Sequence, residues 1–283
     1  MRPDRLAVLG LGAIGGSVAW QARLAGITPV LGWSPRRGDA VAALTAGAVD
    51  DIADRIDRAV GPGTVVVVAL PFAGLDDVLR RISRKGAPVA VGLVAEVAGP
   101  ALSAAAAAGL GAVTAAVHPL GLDPGAGFAG ARPDLLRGRV VYVSPSPDDR
   151  DEAAARTVMS FVGEVLEAEP VLIGADRHDE QVAWTSDLPR AAAVALARTL
   201  ADRGPAGASW GPAARQAAAA VPSDPAALAD ALVANAAAVG AALERFGDDV
   251  MELRRRIASG DRAAVAEFVA EAGRFRPGGH PLT

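Results

Sequence analysis

The sequence predicts an α/β protein, with a mainly parallel open sheet over residues 1–172 and an all-helical domain over residues 173–283. Two observations carry that prediction. Short apolar runs alternate with helix-length stretches up to about residue 172, the pattern of a parallel sheet flanked by helices. From Gly174 onward only helical patterns remain. The 283 residues, 51% hydrophobic and 21% charged, suffice for more than one core.

The first run, Leu6-Ala7-Val8-Leu9, leads into Gly10-Leu11-Gly12-Ala13-Ile14-Gly15-Gly16 and then a helical stretch from Ser17 to Ala25. Strand, glycine turn and helix in succession form a dinucleotide-binding fingerprint, which makes the first domain Rossmann-type. Gly10 permits the tight turn, Gly12 lets backbone approach a pyrophosphate, and Gly15 lets helix and strand pack closely. The N–H groups of the helix start, at Ala13 and Ile14, then face the anion.

Thr28 to Trp33 reads as the second strand, ending where an adenosine ribose would lie. Ser34-Pro35-Arg36-Arg37 follows and contains no carboxylate. A carboxylate there would repel a 2′-phosphate, whereas guanidinium groups bind one bidentately, so the segment favours NADP over NAD. On the plainer alternative, Arg36 and Arg37 merely open a solvated helix, Gly38 to Thr45.

Val65 to Leu70 is a buried-strand run bounded by Gly63 and Pro71, and Leu70-Pro71-Phe72 belongs at the cofactor edge of the sheet. A helix from Gly74 to Arg84, a strand from Pro88 to Val94 and a helix from Pro100 to Ala108 follow. Val113 to Val117 is a strand ending at His118-Pro119, and Arg139 to Val143 is another. Asp148 onward reads as helix, with Val158, Phe161, Val162 and Val165 apolar.

In the helical half, Asp176 is placed to cap a long helix carrying Val182, Leu188 and Val194, kinked or broken at Pro189. Gly204 to Gly207 ends it. Further helices are expected at 211–220, 225–246, 249–258 and 262–272, with a frayed tail from Arg276 to Gly279. Polar residues are sparse on several of them, most clearly from Ala226 to Leu243. Helices apolar on more than one face often bury the second face in a partner subunit, so a homodimer through this half is expected. A single large helical core is the alternative.

Composition excludes several functions. The net charge is -4 with no basic stripe, which argues against duplex nucleic acid. Absence of cysteine excludes disulfides and thiolate metal sites. His118, His178 and His280 lack metal-ligand spacing. The first residues lead straight into a strand without a signal peptide, so a cytoplasmic protein is expected. The uncharged stretch from Val97 to Leu122 is broken by Gly99-Pro100 and Gly109-Leu110-Gly111, which argues against a membrane span.

Several stretches together resemble the prephenate and arogenate dehydrogenases, nearly end to end. His118-Pro119-Leu120 with Gly127-Phe128 is similar to that family's His-Pro-Met motif and its downstream glycine. Leu135 to Arg139 and Ser144-Pro145 fit the segment after it. Asp176-Arg177-His178-Asp179, Val182-Ala183 and Ser186 to Arg190 fit the first interdomain helix, with Ser223-Asp224-Pro225 and Asn235 in register further on. The chain also departs from the family. Glu96 and Ala98 stand where the family usually has serine and lysine, and Asp187 and Arg190 replace two histidines. Pro124, beside Asp123, falls at a usual glutamate, and Arg215 aligns with the family's Thr-Arg arginine.

The resemblance implies an NAD(P)-dependent oxidoreductase acting on a cyclohexadienyl acid, with hydride transfer and decarboxylation. It makes His118 the catalytic base, a role suited to an imidazole whose unperturbed pKa is about 6.5. Arg215 would bind a substrate carboxylate, with Arg190 as the spare candidate; Asp187 and Arg190, three apart, could instead pair with each other. His178 with Asp176 and Asp179 reads as a helix start. Glu96 suggests an amino-substituted substrate. Two alternatives keep the architecture: a hydroxyacid dehydrogenase or imine reductase, whose usual lysine in the first interdomain helix is missing here, and an inactive cofactor-binding homologue.

Overall fold

A computed structural model of the chain describes residues 3–86, 88–122, 125–204, 209–221 and 225–275. Asp123, Pro124, Gly207, Ser223, Asp224, His280 and the tail from Arg276 to Gly279 lie outside the described residues.

Four-residue apolar runs become the centre of the sheet. Strands β1 (Leu6–Leu9) and β4 (Val65–Val68) are buried at every position. Successive side chains of a strand point to opposite faces. Leu6, Val8, Val65 and Val67 accordingly enter one core, and Ala7, Leu9, Val66 and Val68 the other. With β2 (Val30–Trp33), β3 (Asp51–Ile52), β5 (Ala90–Val94), β6 (Thr114–Pro119), β7 (Val140–Pro145) and β8 (Glu169–Leu172), they form one sheet in the order β3-β2-β1-β4-β5-β6-β7-β8. All neighbours run parallel except β6 and β7. The order reverses between β1 and β4, and a sheet of this kind binds ligands at the carboxyl ends of the strands flanking such a switch.

The helices in chain order are α1 (Ala13–Leu24), α2 (Arg37–Thr45), α3 (Ile56–Ala59), α4 (Leu75–Lys85), α5 (Ala98–Ala107), α6 (Ala153–Glu164), α7 (Ala175–Val182), α8 (Leu188–Arg203), α9 (Pro212–Ala219), α10 (Pro225–Ala234), α11 (Ala236–Ala258) and α12 (Arg262–Ala272). The expected α/β class and the helical C-terminal region are both present.

Details differ where local chemistry overrides periodicity. α6 starts at Ala153, not Asp148, because the Asp149 carboxylate accepts from the N–H groups of Ala153 and Ala155. The short β3 and the edge strand β8 carry too few apolar residues to stand out. The long helix expected from Asp176 is interrupted. α7 begins at Ala175, so Asp176 lies inside its first turn, and a π-helical stretch from Ala183 to Asp187 separates it from α8. Pro189 sits in the first turn of α8, where its missing N–H costs no helical bond. The stretch expected as 225–246 is broken at Asn235, and α11 runs through to Ala258.

Two compact units result, Met1–Val182 with Ser223–Asn235, and Ala183–Pro222 with Ala236–Thr283. The sequence suggests one cut after residue 172, whereas α7 and α10 go with the sheet unit. In the second unit Ala183, Asp187, Ala193, Val239 and Ala242 are buried, while Trp184, Leu196, Trp210, Val250, Met251, Ile257 and Val269 are exposed. Among the described residues no single helix is long and apolar enough to cross a membrane.

Candidate active site

The glycine turn after β1 shows in its geometry why glycine is needed. Gly10 has φ +99°, and a Cβ there would strike the carbonyl of Ala69 just beyond β4. A Cβ on Gly15 would collide with the carbonyl oxygen of Gly10. Gly12 differs, since a Cβ there would meet nothing within 4 Å. It is the N-cap of α1 and offers no side chain to the first-turn N–H groups at Ala13 and Ile14. No acidic residue stands in that turn. The result is an open cradle of backbone donors, of the shape and polarity that suit a pyrophosphate.

Gly16 and Ser17 fix the far side of the turn. The Phe128 ring lies where a Gly16 Cβ would go, and it stacks on Trp20 with centroids 5.9 Å apart. The Ser17 hydroxyl donates to the Ala13 carbonyl at 2.6 Å and accepts from the Arg132 N–H at 2.9 Å. Beyond β2, Ser34 is half-buried, and Arg36 and Arg37 are exposed at the start of α2. The nearest carboxylate in sequence, Asp39, accepts from the Phe128 N–H at 3.0 Å.

The carboxyl ends of β4 and β5 open onto a cleft. Leu70, Pro71 and Glu96 line it together with Asp230, Ala231 and Ala234 of α10. His118 lies at the same edge. Val94 pairs with Val117, and the Ala95 N–H donates to the Val117 carbonyl at 3.0 Å, so Glu96, just past β5, and His118, near the end of β6, lie at the ends of neighbouring parallel strands.

His118 is not isolated. Its Nδ1 lies 3.0 Å from Nε2 of His178, and Nδ1 of His178 lies 2.7 Å from Oδ1 of Asp179. His178 is 1% exposed. The Asp179 carboxylate also accepts the N–H groups of Ala98 at 2.7 Å and Gly99 at 2.8 Å, capping α5 in place of a local side chain. Asn235 donates to the Asp179 carbonyl at 2.9 Å. Tyr142, opposite His118 in the ladder, presents its ring to His178 edge-on, and its hydroxyl accepts from Gln181 at 2.9 Å. The sequence reading of His178 and Asp179 as only a helix start therefore needs correction, because α7 brings both to the end of β6. A histidine followed by aspartate in a polar helix was the sole local signal, and spacing along the chain does not reveal the contact.

Asp187, Arg190 and Arg215 lie in the second unit. Asp187 is fully buried at the end of the π-helical stretch, and Arg190 is half-buried in the first turn of α8. Arg215 is exposed on α9, and its guanidinium donates to the Trp210 carbonyl.

Residues 174–271 match the family model described as prephenate dehydrogenase, dimerization domain. Over these residues the chain is similar to the prephenate dehydrogenase family. Solved structures share the fold over nearly the whole length. A prephenate dehydrogenase from A. aeolicus, in complex with hydroxyphenyl propionate and NAD+, is 20% identical with a TM-score of 0.86, covering 95% of this chain and 96% of that one. Synechocystis arogenate dehydrogenase is also 20% identical, with a TM-score of 0.79 over 95% of this chain and 97% of its own. No curated protein matches the sequence.

Proposed function

We propose that the protein is an NAD(P)-dependent dehydrogenase that oxidises a cyclohexadienyl carboxylic acid of the prephenate or arogenate kind, with loss of its ring carboxylate as CO2. One observation carries the reading: the open glycine cradle and His118 stand at the same carboxyl edge of one sheet. The match of residues 174–271 to the prephenate dehydrogenase model supports the substrate class. A bound nicotinamide would supply the hydride acceptor for the ring carbon that bears the hydroxyl. His118 takes the hydroxyl proton as general base. The carbon–carbon bond to the ring carboxylate breaks, and its electrons complete the aromatic ring.

Backbone donors at Gly12, Ala13 and Ile14 would hold the pyrophosphate, and Leu70 and Pro71 would border the nicotinamide. Arg36 and Arg37, exposed and without a carboxylate between Ser34 and Arg37, favour NADP. Glu96 and Asp230 make the cleft acidic, which suits a substrate bearing an amine. Arg215, with Arg190 as the spare, is the candidate for binding a substrate carboxylate, and Asp187 is a further candidate substrate-binding residue. That unit's exposed apolar side chains and its dimerization-domain match support a homodimer, and a cytoplasmic location fits such an enzyme.

The test is turnover of prephenate and arogenate by purified protein with NAD and with NADP, following reduced cofactor and CO2. The expected result is faster turnover of arogenate with NADP. Arg36→Ala/Arg37→Ala should raise KM for NADP about tenfold or more while leaving NAD unchanged, the loss of a charged hydrogen bond being worth roughly 1.5–3 kcal/mol. Good prephenate activity with Glu96→Ser neutral would remove the amine preference. Reduction of cofactor without CO2 would favour the hydroxyacid dehydrogenase alternative. Tight nucleotide binding with no turnover would favour an inactive homologue.

A further inference from the structure

We infer that His178 and Asp179 are positioning residues for His118, fixing its tautomer and stabilising the positive charge it acquires. The inference rests on the proposed base role of His118 for its consequence in catalysis, and on geometry alone for the tautomer.

A carboxylate only accepts hydrogen bonds, so at 2.7 Å from Asp179 the Nδ1 of His178 carries the proton. A neutral imidazole carries one proton, so Nε2 of His178 holds a lone pair. That nitrogen lies 3.0 Å from Nδ1 of His118, which must then be the donor. His118 is left with its own lone pair on Nε2, the form needed to accept a proton there. When it does, the new imidazolium keeps its Nδ1–H on His178, and the carboxylate lies one ring further on. No proton need leave Nδ1, and none is created or lost in the chain.

The surroundings hold this arrangement in place. Asp179 is fixed by the N–H groups of Ala98 and Gly99, which leave its orientation little freedom. Tyr142 meets His178 edge-on at 5.8 Å between centroids, and the two imidazoles meet edge-on at 5.2 Å. Burial of His178 protects the bond from competing water. The logic is that of a carboxylate that orients a catalytic imidazole, with a second imidazole interposed.

The experiment uses the full-length protein labelled with 15N-histidine. The chain has three histidines, so a His118→Gln comparison assigns the signals. Nitrogen shifts are read at a pH where the rings are neutral, in the wild type, His178→Gln and His178→Leu. Glutamine can present a carbonyl oxygen near the place of Nε2, whereas leucine offers no acceptor. The expected result is His118 protonated on Nδ1 in the wild type and in His178→Gln, with a shift towards the Nε2-protonated form in His178→Leu. Should His178→Leu fail to fold, the wild-type and His178→Gln shifts still decide the tautomer. Once a substrate is identified, kcat should fall on the order of 100-fold in His178→Leu and less in His178→Gln, with KM little changed. An Nε2-protonated His118 in the wild type, or one tautomer in all three proteins, would overturn the inference. So would an unchanged kcat in His178→Leu. The expected tautomers in a protein that turns over neither compound would sink the dehydrogenase reading and leave the positioning pair standing.

Discussion

Asp39 and Phe128, 89 positions apart, are joined by a hydrogen bond from the Phe128 N–H to the Asp39 carboxylate at 3.0 Å. The bond ties the first turn of α2, which begins at Arg37 just after Arg36, to the segment that follows His118. Two further contacts clamp the same segment onto α1: the Phe128 ring over Gly16 and the Arg132 N–H on Ser17. The wall beside the glycine cradle is thus built from chain that leaves β6.

Removing the Asp39 carboxylate should loosen that wall. Asp39→Ala leaves the Phe128 N–H without its acceptor, a loss of about 1–3 kcal/mol for a partly buried donor. Gly127→Ala should act in the same direction. Gly127 has φ +64°, and a Cβ there would come within 3.0 Å of the Asp39 carboxylate. In chemical denaturation both variants should lower the midpoint with little change in slope, and protease should cut near residues 125–131 sooner than in the wild type. Unchanged cleavage in both would show that the ring of Phe128 alone holds the segment.

The glycines of the turn should separate binding from folding. Gly12→Asp adds a side chain into open space, so its melting temperature should stay close to that of the wild type. Its negative charge and bulk would sit in the cradle, and nucleotide affinity should fall by about 100-fold or more, which corresponds to roughly 2.7 kcal/mol. Gly15→Ala should do the reverse in kind, because its Cβ would overlap the Gly10 carbonyl and force strand and helix apart. Reduced soluble yield and a lower melting temperature are expected there. Calorimetric titration with NADP beside thermal unfolding distinguishes the two, and a Gly12→Asp protein that binds as tightly as the wild type would relocate the cofactor site.

How much of this was legible in the sequence depends on whether the signal is local. The Leu6–Leu9 run, the glycine turn and Val65 to Val68 declare themselves because strand burial and turn conformation are set by neighbouring residues. His118 was legible as the end of a strand. The partners His178 and Asp179 were not, since they lie 60 and 61 positions away and meet it only after β6 and α7 pack into one unit. Asp179 caps α5 across about 80 residues, so α5 reads as uncapped when taken alone. The interruption at Asn235 was hidden for a different reason. Alanine-rich sequence continues on both sides, and helix propensity does not distinguish one long helix from two.

In the second unit, acid should weaken the docking of α12 on α11 first. Glu252 accepts from Arg256 at 2.7 Å and from Arg255 at 2.6 Å, and these bonds hold its carboxyl below the ordinary value of 4.5. Arg256 also donates to the Ala264 carbonyl at 2.9 Å and lies over the Phe268 ring, so it connects the two helices. A carboxyl whose pKa is depressed by folding contributes stability that is fully present above its unfolded value and is lost as pH falls through its folded value. Hydrogen exchange along α12 should therefore accelerate below about pH 4.5, and salt should blunt the effect because the pair is partly open to solvent. Glu252→Gln should flatten that pH dependence while keeping one hydrogen bond to Arg256, and Arg256→Ala should raise exchange along α12 at every pH by removing the Ala264 bond and the ring contact together. If Glu252→Gln retains the full acid dependence, the proton responsible sits elsewhere, and Glu267, the other carboxylate on Arg256 at 3.3 Å, is the next residue to neutralise.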